Sequence, residues 1–154
     1  MSDIKVEAIM RALNTKLQHN LEQYADKVVV LMKKNLQENG SVDTGNLLRS
    51  IRRSEAEYDE DTVSIKIYAD ARNEVNGAQY AEFVEFGTGE HNEFGDGRQG
   101  GWVYRDKDGV FHHTYGQKPK PFIRPALAEA KDVLDEEIRD AVSETLERWY
   151  KREN

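Results

Sequence analysis

The sequence predicts an α+β protein: a long N-terminal helix, a small antiparallel sheet of hairpins, a short helix with a mobile Gly-rich loop, and a long C-terminal helix. Three patterns carry this prediction. Apolar residues recur three or four apart near both ends of the chain, and they alternate with polar residues between Val63 and Ala69. The third pattern is the placement of glycine, since eight of the eleven glycines fall between Gly87 and Gly116.

In the first 40 residues the apolar positions are Leu13, Leu17, Leu21, Tyr24, Val28, Leu31 and Leu36. That spacing gives one amphipathic helix, or two joined by a bend, ending at Glu38-Asn-Gly40. Asp43 or Thr44 is placed to cap a short helix with Leu47, Leu48 and Ile51 as its buried positions. Residues 52–58 read as extended, Asp59-Glu-Asp61 as a charged turn, and Val63, Ile65, Ile67 and Ala69 as the inward side of a strand. Together they predict a hairpin with one wet face.

The stretch Tyr80-Ala-Glu-Phe-Val-Glu-Phe-Gly-Thr-Gly89 then places Tyr80, Phe83, Val84 and Gly87 at helical spacing, so a helical turn should end at a glycine cap. The glycine tract beyond it, about residues 87–116, is interleaved with Trp102, Tyr104, Phe111 and Tyr115. Within it, Trp102-Val-Tyr-Arg105 and Val110-Phe-His-His-Thr-Tyr115 flank Asp106-Lys-Asp-Gly109, predicting a second hairpin. All three prolines lie in Lys118-Pro-Lys-Pro-Phe-Ile-Arg-Pro125, with Pro125 tolerable in the first turn of the last helix. That helix carries Ile123, Leu127, Ala130, Leu134, Ile138, Val142, Leu146 and Trp149 as its apolar face.

Size and composition narrow the function. A chain of 154 residues, 38% hydrophobic and 33% charged, is expected to form a single domain over residues 1–154. It contains no run of about 18 apolar residues that would cross a membrane. Its start lacks the apolar core of a signal peptide, and it has no cysteine, a usage that suits a reducing cytoplasm. A net charge of −7 argues against a dedicated nucleic-acid binder. The charge is uneven, however: residues 41–97 hold 13 acidic and 5 basic residues, whereas 98–125 hold 2 acidic and 6 basic. A basic aromatic segment between acidic neighbours suits complementary docking between copies of one chain.

Catalytic and ligand motifs are weak. Asp43-Thr44-Gly45 matches the aspartic-protease triplet, but it opens a helical segment instead of following apolar strands, and capping explains it more economically. His91, Glu93, His112 and His113 invite a metal, yet His112 and His113 are adjacent on a strand and point to opposite faces. Gly87-Thr-Gly89 and Gly95-Asp-Gly97 lack the lysine and hydroxyl of a phosphate loop. The reading is therefore non-enzymatic, with no cofactor. The alternative is a nucleic-acid-binding module using the basic aromatic hairpin 98–124, with Trp102, Tyr104 and Tyr115 stacking on bases and Arg98, Arg105, Lys118 and Lys120 meeting phosphates.

Three segments, read in order, resemble a known family: Val42-Asp-Thr-Gly-Asn-Leu-Leu-Arg-Ser-Ile51, Tyr80-Ala-Glu-Phe-Val-Glu-Phe-Gly-Thr-Gly89, and Pro119-Lys-Pro-Phe-Ile-Arg-Pro-Ala-Leu127. The family is that of the small tail-component or neck (head–tail joining, tail-completion) proteins of lambda-like tailed bacteriophages. The residues that match its motifs are Asp43, Thr44, Gly45, Leu47, Tyr80, Val84, Glu85, Phe86, Gly87, Thr88, Pro121, Phe122, Arg124 and Pro125. Phe86 and Phe122 are expected in the core. The resemblance implies a structural virion protein of the neck or tail, assembled in the bacterial host cytoplasm as a homo-oligomeric ring. It implies as partners the connector or head-completion proteins and the tail tube or tail terminator, with DNA only passing through the lumen. Residues 90–116 match no family motif. Their composition makes them the candidate docking interface, with Arg98, Trp102, Tyr104, Arg105, Phe111 and Tyr115 as its side chains and Lys118 and Lys120 just beyond.

Overall fold

A computed structural model describes residues 3–41, 45–74 and 76–154, with side chains from residue 5 onward. The architecture is α+β. In chain order the elements are α1 (Asp3–Glu38), α2 (Asn46–Ser50), β1 (Ile51–Arg53), β2 (Glu57–Asp59), β3 (Thr62–Ser64), β4 (Ile67–Ala69), α3 (Ala81–Phe86), a 3-10 turn (Gly89–His91), β5 (Trp102–Arg105), β6 (Phe111–Thr114) and α4 (Ile123–Glu153). The strands form three two-stranded sheets: β1 with β4, β2 with β3, and β5 with β6. The chain separates into two compact units.

The first unit comprises Met1–Val30, Arg53–Ile67 and Leu127–Asn154. Its helices run antiparallel, because successive ties join Lys5 to Glu153, Lys16 to Glu144 and the Asn20 side chain to the Glu137 carbonyl. Small residues on α4, namely Ala130, Ala141 and Thr145, are buried, as are Asn20, Tyr24, Ala25 and Val28 of α1. Short side chains let two helix backbones approach closely, and the Asn20 amide is satisfied at 2.8 Å.

The large aliphatic residues of α4 lie elsewhere. Leu127, Ile138, Val142 and Leu146 are exposed while Ile123, Leu134 and Trp149 are half-buried, so the apolar face expected from periodicity is divided: small residues form the core, and four of the bulky ones meet solvent. The strands of this unit are held against α1 by a bidentate pair between Arg53 and Asp26 and by the Glu22 carboxylate accepting from the Ala56 N–H.

The first predicted hairpin occurs in two pieces. Ser54 interrupts it: its N–H donates to the Lys66 carbonyl and its hydroxyl accepts from the Lys66 N–H, replacing a ladder bond. The outer piece, β2 with β3, is exposed on both faces except at Val63, and so differs from the single wet face expected.

The second unit comprises Leu31–Arg52 and Tyr68–Ala126. Its buried residues include Leu31, Met32, Leu36, Leu47, Ile51, Ala71, Val84, Phe122 and Ala126. α1 continues without a break to Glu38, which resolves the alternative of a bent pair. Beyond it Gly40 takes φ +71°, and Ser41 N donates back to the Leu36 carbonyl. Gly45 stands at the start of α2 with φ +76°. The expected capping residues, Asp43 and Thr44, lie outside the described residues.

Candidate docking surface

Glu85 organises the second unit. It is a carboxylate on α3 that is only 1% exposed. Its Oε2 accepts from the N–H groups of Phe122 and Ile123 at 2.7 and 2.9 Å, and its Oε1 from the N–H of Arg124 at 3.1 Å. These are the orphan donors at the start of α4, so the acid supplies from a distant segment the cap that a local Ser or Asp usually provides. The Arg124 guanidinium adds a 2.9 Å bond from Nε to Glu85 and a bidentate grip on Glu93 at 2.9 and 2.8 Å.

The electrostatics follow from these partners. Burial pushes the Glu85 carboxyl up, but the N–H groups of Ile123 and Phe122 and the Arg124 side chain together outweigh it and hold the group below the ordinary carboxylate range. Arg124 is pushed up, first by Glu93 and then by Glu85, and Glu93 is held low by Arg124.

The rest of the cluster builds outward from this clamp. Phe122, 0% exposed, fills the core beneath it. Phe86, expected in the core, is half-buried instead, because its ring lies under the Arg124 guanidinium at 4.8 Å and beside Phe94 at 5.0 Å. Phe83 also departs from the expected face and is exposed, while Val84 is buried and Tyr80 half-buried. Gly87 ends α3 at φ +79° with its N–H on the Phe83 carbonyl. A Cβ there would sit 2.7 Å from the Gln117 carbonyl oxygen and 2.8 Å from Pro119, so only glycine allows the two chain segments to close together. Pro121 is exposed before the helix, and Pro125 is exposed in its first turn.

The glycine tract is tied down at its base. Thr88 N donates to the Gln117 carbonyl, Gln117 N donates to the Thr88 hydroxyl, and Glu90 N donates to the Tyr115 carbonyl, each at 2.9 Å. Lys120 N bonds the Val84 carbonyl at 2.8 Å. From this base β5 and β6 run as an antiparallel hairpin in the register Trp102↔Thr114, Val103↔His113, Tyr104↔His112 and Arg105↔Phe111, and residues 104–107 at its tip line a cleft with Leu47, Arg72 and Tyr80. Asp106 shapes the turn, its Oδ1 accepting from the N–H groups of Asp108 and Val110 while Oδ2 pairs with His112 at 2.7 Å. That His112 bond, ahead of the backbone bonds, holds the Asp106 carboxyl low.

The hairpin has two different faces. On one, Trp102 is half-buried, packed close over Gly89, and Tyr104 stacks on His112 at 5.3 Å. On the other, Val103 is 60% exposed and Phe111 70% exposed, with the Arg105 guanidinium 5.7 Å from the Phe111 ring. Tyr115 is exposed edge-on to His113, Arg98 sits over Trp102, Lys118 is exposed and Lys120 half-buried. The candidate interface residues thus run from the loop base at Lys118 and Lys120 to the hairpin tip at Arg105. Trp102 and Tyr104, the expected base-stacking platforms, already have partners within the chain.

The sequence marked Glu85 and Arg124 without their connection, and it offered Glu93 only as a candidate metal ligand and Asp106 only as part of a turn. Asp106-Lys-Asp-Gly109 was legible as a turn, whereas the pairing of Glu93 with Arg124, 31 positions on, left no local signal. Among the described residues no group of three or more His, Asp or Glu side chains is placed to hold a metal ion, and no helix is long and apolar enough to cross a membrane.

The sequence model of the HK97-gp10-like family, described as "Bacteriophage HK97-gp10, putative tail-component", matches residues 5–87, more than half of the chain. The chain belongs to that family. The match takes in α1 and ends at Gly87, so this HK97-gp10-like chain carries Glu85 inside the matched region and the β5–β6 hairpin and Arg124 beyond it. No curated protein and no solved structure gives a significant match. Family membership makes the protein a bacteriophage tail component with other virion proteins as its neighbours.

Proposed function

We propose that this tail component is a non-enzymatic neck or tail-completion protein that assembles as a homo-oligomeric ring at the head–tail junction or tail end. In this reading its glycine-rich aromatic loop makes the docking contact, and its partners are copies of itself, the connector or head-completion proteins, and the tail tube or terminator. DNA only passes through the lumen. One observation carries the docking part: the hairpin carries an exposed apolar and cationic face, Val103, Arg105 and Phe111, on a base fixed by Glu85, Thr88 and Arg124. Preorganising the base lowers the entropy lost when the hairpin is ordered on a partner. Glycines around the hairpin leave it free to adjust, and residues 1–154 are expected to act as one domain in assembly.

The test is electron microscopy of lysates from the parent phage carrying an early stop codon in this gene. DNA-filled heads lying beside separate tails, or tails of abnormal length, are the expected result. Normal infectious particles would remove the structural role.

A further inference from the structure

α4 presents an apolar stripe to solvent within the first unit. Leu127, Ile138, Val142 and Leu146 are between 38% and 51% exposed, and they extend over about 28 Å at 1.5 Å per residue. Ile138, Val142 and Leu146 follow one another at four-residue spacing, with Leu127 further up the same face beyond Lys131 and Asp135, and such an aliphatic run is unusual on a finished surface. The surrounding charge says what would cover them. Residues 132–147 hold seven acidic residues against Arg139 alone, a net of −6. Residues 98–120 hold five basic and two acidic, a net of +3.

We infer that the stripe on α4 is the receptor for the β5–β6 hairpin of a second copy of this chain. This rests on the ring reading above and names the surface that the hairpin meets. The chemistry matches side for side. Val103 and Phe111 supply apolar contact, and Arg105 and Lys107 supply cations for Asp132 and Asp135, both exposed and on the stripe's side of the helix. The dimensions agree too: a four-residue strand is about 13 Å long, enough to cover the span from Ile138 to Leu146, about 12 Å.

Packing α4 against α4 instead would bring two strongly acidic faces together, which like-charge repulsion opposes. Hairpin and stripe are different patches, so each copy can give one and receive with the other. That is a heterologous contact, the kind that closes into a ring.

The chain has no cysteine, so engineered pairs are unambiguous. The test oxidises purified Val103→Cys/Val142→Cys protein at its highest soluble concentration, beside each single variant. Disulfide-linked dimers and higher multiples in the double variant alone are expected. A disulfide-linked dimer from Val142→Cys alone indicates α4–α4 packing and overturns the inference, as does a double variant that stays monomeric. Charge reversal supplies a second measurement by sedimentation. Arg105→Glu/Lys107→Glu and Asp132→Lys/Asp135→Lys should each weaken self-association at least tenfold, and mixing the two should restore it. A hairpin reversal without effect overturns the assignment. Immunoblots of purified particles test the ring reading separately: a chain missing from particles, with the ladder intact in solution, removes the virion role and leaves the interface standing.

Discussion

At the scale of single residues, Glu85 is the side chain whose loss should be felt most widely. Glu85→Ala leaves three backbone N–H groups at the start of α4 without their acceptor and Arg124 with the Glu93 carboxylate alone, and it should cost about 2–3 kcal/mol, read as a lowered urea midpoint. The acid also sets a pH dependence. Its folded carboxyl lies below the ordinary 4.5, so its contribution is complete above that value and is lost as pH falls through the lower folded value. The stability gap between wild type and Glu85→Gln should therefore be widest at neutral pH and narrow in acid. A gap that widens in acid would show that burial, and not the hydrogen bonds, dominates. Gly89 is the second sensitive position. It has φ +59°, and a Cβ would lie 2.2 Å from the Tyr115 carbonyl oxygen. Gly89→Ala should part the strands at the loop base and cost about 3 kcal/mol, with faster amide exchange at Glu90. Both roles were hidden in the sequence for one reason. Glu85 appears there as an acid on a short helix, and its meaning depends on backbone donors 37 to 39 positions away.

Among elements, the hairpin and the last helix separate folding from docking. Removing residues 92–114 takes away the hairpin and Glu93 but leaves Glu85 on the start of α4, so the shortened chain should keep its helical circular dichroism and lose assembly. A shortened protein that complements a null phage would refute the docking role. Such a chain should unfold somewhat earlier, because Arg124 keeps only one of its two carboxylates. The elements themselves were largely legible. Periodicity marked both long helices, and alternation with the Asp-Gly turn marked β5 and β6. What periodicity could not say was which apolar residues of α4 form the core. Alanines at 126, 130 and 141 and bulky residues at 127, 138, 142 and 146 lie on adjoining faces, and spacing alone does not rank them. The interruption at Ser54 was equally invisible, since a serine in a strand announces no particular hydrogen bond.

For the whole molecule, a net charge of −7 with a local basic segment sets docking to protein against binding nucleic acid, and salt separates the two. Phosphate binding releases counterions, so a nucleic-acid complex loses orders of magnitude in affinity over a few-fold rise in salt. A hairpin seated on an apolar stripe responds differently, because salt screens its flanking charges but leaves its buried aliphatic area intact. Self-association followed by sedimentation should thus weaken modestly between about 0.1 M and 1 M salt, where the Debye length falls from about 10 Å to about 3 Å. Over the same range, fluorescence anisotropy with single- or double-stranded DNA should show no saturable binding at the low end. If DNA binds tightly at low salt and the complex collapses on adding salt, the basic hairpin is a nucleic-acid surface after all. Absence of DNA binding alongside salt-tolerant association would leave the acidic remainder of the chain with a simple physical use. Its like charge would discourage packaged DNA from adhering as it moves through the assembled particle.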